Sequence, residues 1–386
     1  MRIRNVHLIL NNGQADSRLL REAGAIADLL ADEEGVEILA TARGQGILAQ
    51  LAPKIWLRQF TLIPGRGLAA RLKTALRLIL WSLTALRHVL PHGRIVLNVH
   101  HAELLPLALL IRLLNGSVIV YVPHELEAER AGQLKSKSRL ITLIERFAWP
   151  NLAGVAVVNE SIADEYLQRY GAPRPRVVEN VQASTVFSGT PKNLHALTGI
   201  APERRICIYV GALVRNRGIE ELIEWFSTTA QSEFALVCMG HGELTSAIEL
   251  AASNSDSIRL LPPVPPDEVP SYVAGADISA VLIEAVSKSY SLSLPNKFFE
   301  SVAGGARVIV SPLVELRRFV ETYSVGSCIA GRDATAFFVA CRNALMVPRD
   351  IFEAGRVRLF AEHGWPIQRE KVQSLYLEAS KKIVKT

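Results

Sequence analysis

The chain has 386 residues, 49% of them hydrophobic and 21% charged, with a formal net charge of +6 and a pI of about 9.2. These values exclude a disordered chain, and the length suits two domains of ordinary size. Aromatic residues make up only 6% and no recognition motif is present, which argues against a nucleic-acid partner. The four cysteines, Cys207, Cys238, Cys328 and Cys341, form no CxxC pair and no His/Cys cluster with metal-ligand spacing. Buried free thiols in a reducing compartment, and no metal, are the expectation.

Short apolar runs alternate with helix-like segments throughout, the pattern of βαβ units and parallel sheets. In the first half, strands are predicted at Val6–Leu10, Val36–Ala40, Ile95–Val99, Val118–Val122 and Val155–Val158. Helices are predicted over Ser17–Ala31, Leu68–Leu90, Leu104–Leu113, Ser138–Trp149 and Ser161–Tyr170. The first apolar run is too short for a secretory h-region and ends in Asn11-Asn12-Gly13. No stretch of about 18 uncharged apolar residues occurs, so the expectation is a cytoplasmic protein, soluble or peripheral on the inner face of the plasma membrane.

The charge is unevenly spread. From Ile38 to Ala102 there is no Asp or Glu, while nine cations fall in the same stretch, Lys73, Arg77 and Arg87 among them. On a helix over Leu68–Leu90, Lys73, Arg77, Thr84 and Arg87 share about a quarter of the circumference, and Leu72, Leu76, Ile79, Leu80, Leu83 and Leu86 occupy the other faces. A basic amphipathic helix of this kind suits an anionic partner such as an acidic lipid surface or a diphosphate-bearing acceptor.

Pro-rich and polar sequence follows Tyr170, and a linker is expected around residues 182–200. A second βαβ series then runs through strands at Ile206–Val210, Ala235–Met239, Ile258–Leu261, Ile278–Ile283 and Val308–Val310, with a last helix from about Ile367 to Ile383. Two open parallel sheets in tandem place their ligand sites at the carboxyl ends of the strands, facing a shared cleft. The boundaries read as 1–185 for the first domain, 195–365 for the second, and 366–386 for a closing helix.

Two local patterns carry the chemistry. The strand Ile206–Val210 ends at Gly211, a short basic turn with Arg215 and Arg217 follows, and a helix opens near Gly218. A helix N-terminus with arginines beside it attracts phosphate, although a plain strand–loop–helix with solvated arginines has the same pattern. The second segment is Ser293-Leu-Pro-Asn-Lys-Phe-Phe-Glu300, with Pro295 just inside a helix start. Lys297 and Glu300, three apart, share one helix face, as a surface ion pair also would.

In this order and separation the two segments resemble retaining glycosyltransferases of the family 4 type, with the GT-B fold. That family shows strand-Gly-x-Leu-x-x-x-[Lys/Arg]-Gly-helix and, farther on, a Glu before an apolar helix and a Val-Ile strand. The Leu-Pro-Asn-Lys-x-x-Glu motif is similar to a branch found in bacterial surface-polysaccharide synthesis. Asp16–Ala23, Tyr121-Val-Pro-His-Glu125, Leu143–Asn180, Gly240-His-Gly242, Ala274–Asp277 and the helix after Trp365 match in register. Leu292 stands where many members have a further Glu, and Ala212 where they often have Arg.

The resemblance implies an α/β protein of two Rossmann-like domains, the first binding acceptor and the second a nucleotide-sugar donor, UDP-linked by family habit. Arg217 and Lys297 would neutralise the departing diphosphate, Glu300 would hold the ribose with Asn296 beside it, and Gly13, Gly211 and Gly242 would let backbone approach the ligand. His124 and Glu125, at a predicted strand end, are the candidates for contact with the transferred sugar or acceptor, with His100 and His101 competing. Glu284 is a candidate for the part of the missing Glu. The acceptor implied is a saccharide or a lipid-diphosphate-linked sugar, transferred to with retention and without metal. A sugar-nucleotide 2-epimerase of the same fold and a catalytically silent binding subunit are the rivals. A dehydrogenase is not expected, since Asn-Asn-Gly-Gln-Ala-Asp follows the first strand in place of GxGxxG.

Overall fold

The structure, a computed structural model, describes residues 5–11, 16–31, 34–42, 48–61, 68–181, 186–228 and 233–384, with backbone alone for 42, 60–61, 68–75 and 384. Contacts divide the chain into two compact units, Met1–Glu179 with Gln368–Thr386, and Asn180–Ile367.

The first unit runs β1 (Asn5–Leu8), α1 (Ser17–Ala27), β2 (Val36–Ala42), β3 (Leu48–Ala52), β4 (Ile55–Thr61), α2 (Leu68–Val89), β5 (Val96–Val99), α3 (Leu105–Asn115), β6 (Val118–Tyr121), α4 (Lys135–Ala148), β7 (Leu152–Val157), α5 (Glu160–Tyr170) and β8 (Arg176–Val177). Its sheet has the order β3-β4-β2-β1-β5-β6-β7-β8 and is parallel except for the β3–β4 hairpin. The central strands β1, β5 and β6 are buried on both faces, which is why they read as short apolar runs. Two polar interruptions answer each other there, with Asn98 Nδ2 donating to Asn5 Oδ1 at 3.0 Å. Side-chain oxygens start the helices: Asp16 accepts from the Leu19 amide at α1, and Asn159 from the Ile162 amide at α5.

Helix α2 departs from its expected amphipathicity. It seals against the sheet with Trp81, Ala85 and Val89, while Leu76, Ile79, Leu80 and Leu83 are exposed beside Thr84 and Arg87. Among the described residues no helix is long and apolar enough to cross a membrane.

The second unit contains α6 (Leu194–Thr198), β9 (Arg205–Val210), α7 (Ile219–Thr228), β10 (Phe234–Met239), α8 (Thr245–Asn254), β11 (Ile258–Leu261), α9 (Val269–Ala274), β12 (Ile278–Val281), α10 (Lys288–Ser291), α11 (Asn296–Gly304), β13 (Arg307–Val310), α12 (Val314–Tyr323), β14 (Gly326–Cys328), α13 (Ala334–Met346) and α14 (Arg349–His363). The all-parallel order is β11-β10-β9-β12-β13-β14. The chain reverses direction between β9 and β12, so the crevice at their carboxyl ends is the place where open α/β sheets take ligands. Residues 186–200, part of the stretch read as linker, belong to this unit. The Phe187 amide donates to Ala303 O, the Lys192 amide donates to Ser271 O, and Leu194 and Ile200 sit in its core. Helix α15 (Trp365–Val384) then returns to the first unit, where Arg176 grips Glu378 at 2.8 Å and Gln368 accepts from the Glu179 amide at 2.9 Å.

All four cysteines are free thiols, three of them buried. An apolar cluster in the second unit joins α7 to α13, where Phe337 lies 5.1 Å from the Trp225 ring and 5.9 Å from Phe226 and has no exposed surface. Removing that ring leaves a cavity the helices cannot close. Phe337→Ala should destabilise this unit by about 3–5 kcal/mol. A denaturation midpoint unchanged from that of the parent chain would contradict the packing.

Candidate active site

In the second unit the loop after β9 folds onto the chain after β12. Glu284 donates its amide to Asn216 O at 3.2 Å. Gly218 has φ +73°, and a Cβ there would come within 2.3 Å of Leu282 Cβ, so only glycine lets the loop seat. Gly211, with φ +128°, faces open space. Gly242 is different: a Cβ on it would meet Leu213 O at 2.3 Å, so its smallness serves the packing of two loops rather than a ligand. Helix α7 begins at Ile219 with Glu220 and Glu221 in its first turn. These carboxylates suit the helix dipole but oppose an anion at that end, which shifts the burden of anion attraction to side chains.

Those side chains are Arg217 and Lys297. Pro295 serves as the N-cap of α11 rather than its first residue, so Asn296 opens the helix and Lys297 follows in the first turn. Lys297 turns back toward the sheet, donating from Nζ to Leu282 O at 3.3 Å, 4.3 Å from the Tyr209 ring centroid. Burial first, and then the neighbouring Arg217 charge, bring its pKa down from 10.5 to about 7, while Glu300 one turn on pulls the other way. Arg217 is half-buried, its guanidinium 5.0 Å from the Tyr290 ring. Gly211, Arg217, Lys297 and Glu300 are thus gathered at the β9/β12 switch point. The tyrosines beneath the two cations were missed from sequence: Tyr209 reads as one more apolar strand residue, and no spacing signals Tyr290.

Glu284 occupies the adjacent cavity of about 440 Å³, lined also by Gly218, Glu221, Ser311 and Arg332. The carboxylates of Glu220, Glu221 and Glu284 lie within 4.8 Å of one another. Burial, then Glu221 and Glu220, raise the pKa of Glu284 against the pull of Arg332. Such a cluster has the oxygen donors a divalent cation uses. A second group, Glu37, His88 and His92, comes as close in the first unit, where His88 Nε2 lies 2.8 Å from both Glu37 oxygens and Arg58 approaches at 3.4 Å. Chain spacing shows only part of each group, the His88/His92 and Glu220/Glu221 pairs, because Glu37 and Glu284 join them from separate elements.

In the first unit the strand-end histidines form a chain. His7 Nδ1 lies 2.9 Å from His100 Nε2, His100 Nδ1 lies 3.0 Å from His124 Nε2, and His124 Nδ1 lies 3.8 Å from Asp16. Asp16 favours the proton on His124 Nδ1. That choice lets His100 donate to His124 and His7 donate to His100, leaving the buried His7 Nε2 as a bare acceptor rather than an orphan donor. Burial, then the Arg18 charge, take His124 down to about 3, with Asp16 opposing, so the ring is neutral at physiological pH. His101 accepts from the Leu10 amide at 3.3 Å, and its ring lies 6.5 Å from that of His124. Glu125 is half-buried, 3.9 Å from Arg130. Glu127, passed over in the sequence, is fully buried against Arg130, and burial pushes its pKa up to about 8. Its signal was the repeated acid in His-Glu-Leu-Glu.

Gly13 and the side chain of Lys73 lie outside the described residues. Arg77 is half-buried and Arg87 exposed on α2. The electrostatics of Lys297 give a direct test. Arg217→Gln should raise its pKa by removing a like charge, and Glu300→Gln should lower it, both followed by NMR titration of labelled lysine. Shifts of the opposite sign would refute the proximity.

Residues 204–346 match the family model described as "Glycosyl transferases group 1". Among curated proteins, the D-inositol 3-phosphate glycosyltransferase of Thermobispora bispora is 23% identical over 243 residues, 58% of this chain and 55% of that one. The chain therefore spans about half the length of that relative. Among solved structures, sucrose-phosphate synthase from Thermosynechococcus elongatus superposes with a TM-score of 0.76 at 16% identity, covering 98% of this chain and 99% of that one. Anabaena HepE in complex with UDP-glucose gives 0.65 at 12% identity, covering 99% and 100%. The catalytic domain of starch synthase IV from Arabidopsis thaliana, bound to ADP and acarbose, gives 0.68 at 12%, covering 100% of both. Residues 204–346 of the second unit are thus similar to the group 1 glycosyltransferase model, on a chain whose fold is GT-B.

Proposed function

We propose that this chain is a glycosyltransferase that moves a sugar from a nucleotide donor, UDP-linked, to a saccharide or lipid-diphosphate-linked acceptor in polysaccharide synthesis. The observation that carries the reading is Lys297 with its charge suppressed beside Arg217 at the β9/β12 switch point. Two cations that repel each other in the free protein gain most when a diphosphate arrives between them. The gain grows as the sugar–phosphate bond breaks and charge builds on the leaving group, which is differential stabilisation of the transition state. Glu300 then serves the ribose, with Asn296 beside it, and Gly211 leaves room for the phosphates. The solved complexes of HepE with UDP-glucose and of starch synthase IV with ADP and acarbose support a nucleotide ligand for a chain of this fold.

On the first unit we assign acceptor binding, with neutral His124 and the neighbouring Glu125 as its polar contacts. The tautomer held by Asp16 and His100 orients the ring without adding charge. Glu284 contacts the transferred sugar, its carboxylate accepting hydrogen bonds from the sugar hydroxyls. Retention follows the family 4 resemblance. We assign Lys73, Arg77 and Arg87 of α2 to an anionic membrane or a lipid-linked acceptor, in keeping with a peripheral enzyme on the cytoplasmic face.

A thermal-shift panel of nucleotide sugars should pick out one donor by mass action. Arg217→Ala should then lower kcat by about 100-fold, near 3 kcal/mol, in a transfer or donor-hydrolysis assay. Donor binding restores the Lys297 ammonium, so the bound state takes up a proton. Affinity for UDP-glucose, a diester with no phosphate titration near neutrality, is full below about pH 7. It weakens above that pH by up to about tenfold per unit. Calorimetry in buffers of different ionisation enthalpy reads the uptake, and Lys297→Arg should flatten the profile. A flat profile in the parent chain would dismiss the assignment. His124→Ala should reduce kcat far more than donor affinity, and Glu284→Gln should reduce turnover. Unaltered kcat in either variant removes that residue from the site.

A further inference from the structure

The amino ends of the first sheet carry a group of side chains that neither the donor nor the acceptor reading uses. Glu37 is the second residue of β2, and His88 lies in the last turn of α2. A 3-10 turn over Leu90–His92 follows, with Pro91 near its start and Gly93 closing it at φ +71°. His92 stands four residues before β5, whereas His100 and His101 follow the same strand. The two histidine groups therefore occupy opposite ends of the sheet.

Three donor groups converge at the amino end. His88 Nε2 lies 2.8 Å from both oxygens of Glu37. The rings of His88 and His92 stand edge to face, with centroids 5.4 Å apart. One ligand atom from each of Glu37, His88 and His92 falls within 4.8 Å of the others. All three residues are partly buried, and Glu37, His88 and His92 border a cavity of about 330 Å³ that Glu34, Trp56 and Arg58 also line. An ordinary ion pair accounts for Glu37 with His88. The second imidazole and the open space beside them distinguish this group from such a pair.

We propose that Glu37, His88 and His92 bind a divalent transition-metal ion, zinc fitting best, with a coordination position left open to the cavity. Two imidazoles and a carboxylate suit zinc, cobalt(II) and nickel(II), whereas calcium and magnesium take oxygen donors. Zinc holds such ligands at about 2.0–2.2 Å, which small side-chain rotations reach from the present spacing. His88 Nε2 faces a carboxylate and so carries a hydrogen, which the ion displaces to Nδ1 or to solvent. The surroundings favour a cation. Glu34 and Glu37 outnumber Arg58 among the charges on the cavity, and the C-terminal end of α2 contributes the negative pole of the helix dipole. Arg58 approaches Glu37 at 3.4 Å, where a hydrogen-bonding neighbour steadies a ligating carboxylate. A bound ion ties β2 to the end of α2, away from the residues assigned to sugar and diphosphate.

The test is calorimetric titration of zinc chloride into the EDTA-treated full chain, made without a polyhistidine tag, and the visible spectrum of its cobalt(II) form. One zinc per chain is expected, and the melting temperature should rise as free zinc exceeds the dissociation constant. Cobalt(II) on two imidazoles and a carboxylate at low coordination number gives strong visible bands. Sixfold oxygen ligation at Glu220, Glu221 and Glu284 gives weak ones. His92→Gln leaves the contact between Glu37 and His88 in place, so without metal it should melt with the parent. Its zinc affinity should fall by more than the roughly 10- to 100-fold that loss of a ligand's neighbour costs. In the parent chain zinc should shift the side-chain NMR signals of His88 and His92 and leave those of His100, His101 and His124 in place, a readout that needs no variant. Absence of zinc uptake by the parent at micromolar concentration, unchanged affinity in His92→Gln, a cobalt(II) spectrum of oxygen ligation alone, or shifts confined to the other histidines would overturn the proposal.

Discussion

An amine held out of water next to a guanidinium organises the second unit. Lys297 is anchored to a strand-end carbonyl, lies over Tyr209, and shares its surroundings with Arg217. Arg217 donates to the Tyr290 hydroxyl at 3.5 Å, Lys297 donates to the Leu282 carbonyl, and the loop that carries Arg217 is held against the chain after β12. That loop is fixed by the contact of Gly218 with Leu282 and by the hydrogen bond from Glu284 to Asn216. Burial and the neighbouring Arg217 charge both disfavour the Lys297 ammonium, the electrostatic setting in which an anion would be welcome.

The two sheets solve the same problem with different chemistry. In each, the strand order reverses beside the first strand of the unit, between β1 and β5 and between β9 and β12. In the second unit that crevice is cationic. In the first it holds neutral imidazoles, arranged so that each buried nitrogen but one finds a partner. Desolvation sets the difference: a buried histidine gives up its proton well before neutral pH, whereas a lysine sharing a helix face with Glu300 stays within reach of its charged form.

The strands buried on both faces were legible as apolar runs, and the two basic motifs drew attention to Arg217 and Lys297. The β3–β4 hairpin was not legible, since an edge pair needs only one dry face: Ile55, Leu57 and Gln59 turn inward while Trp56 turns out. The three-residue β14, Gly-Ser-Cys, has no pattern at all. At the candidate site, residues acting through shape were invisible. Tyr209 and His7 occupy strand positions where any buried side chain is expected, and Glu220, Glu221 and Glu284 become one cluster only after the loop closes. The leucines of α2 misled for a related reason. Trp81, Ala85 and Val89 suffice to seal the helix, which leaves the larger apolar face turned outward.

The last helix bears on how the chain is made. Leu375 of α15 fills the space left by Gly154 on β7, and Val372, Tyr376, Ala379 and Ile383 are buried in the same unit as β1. The amino-terminal unit is therefore discontinuous, with a whole second domain inserted between its penultimate and final segments. During synthesis every residue of the inserted domain is added before the segment that completes the core of the earlier one. Chain order and order of completion therefore differ: the unit that begins first gains its last core side chains, Leu375 and Ile383 among them, only from α15.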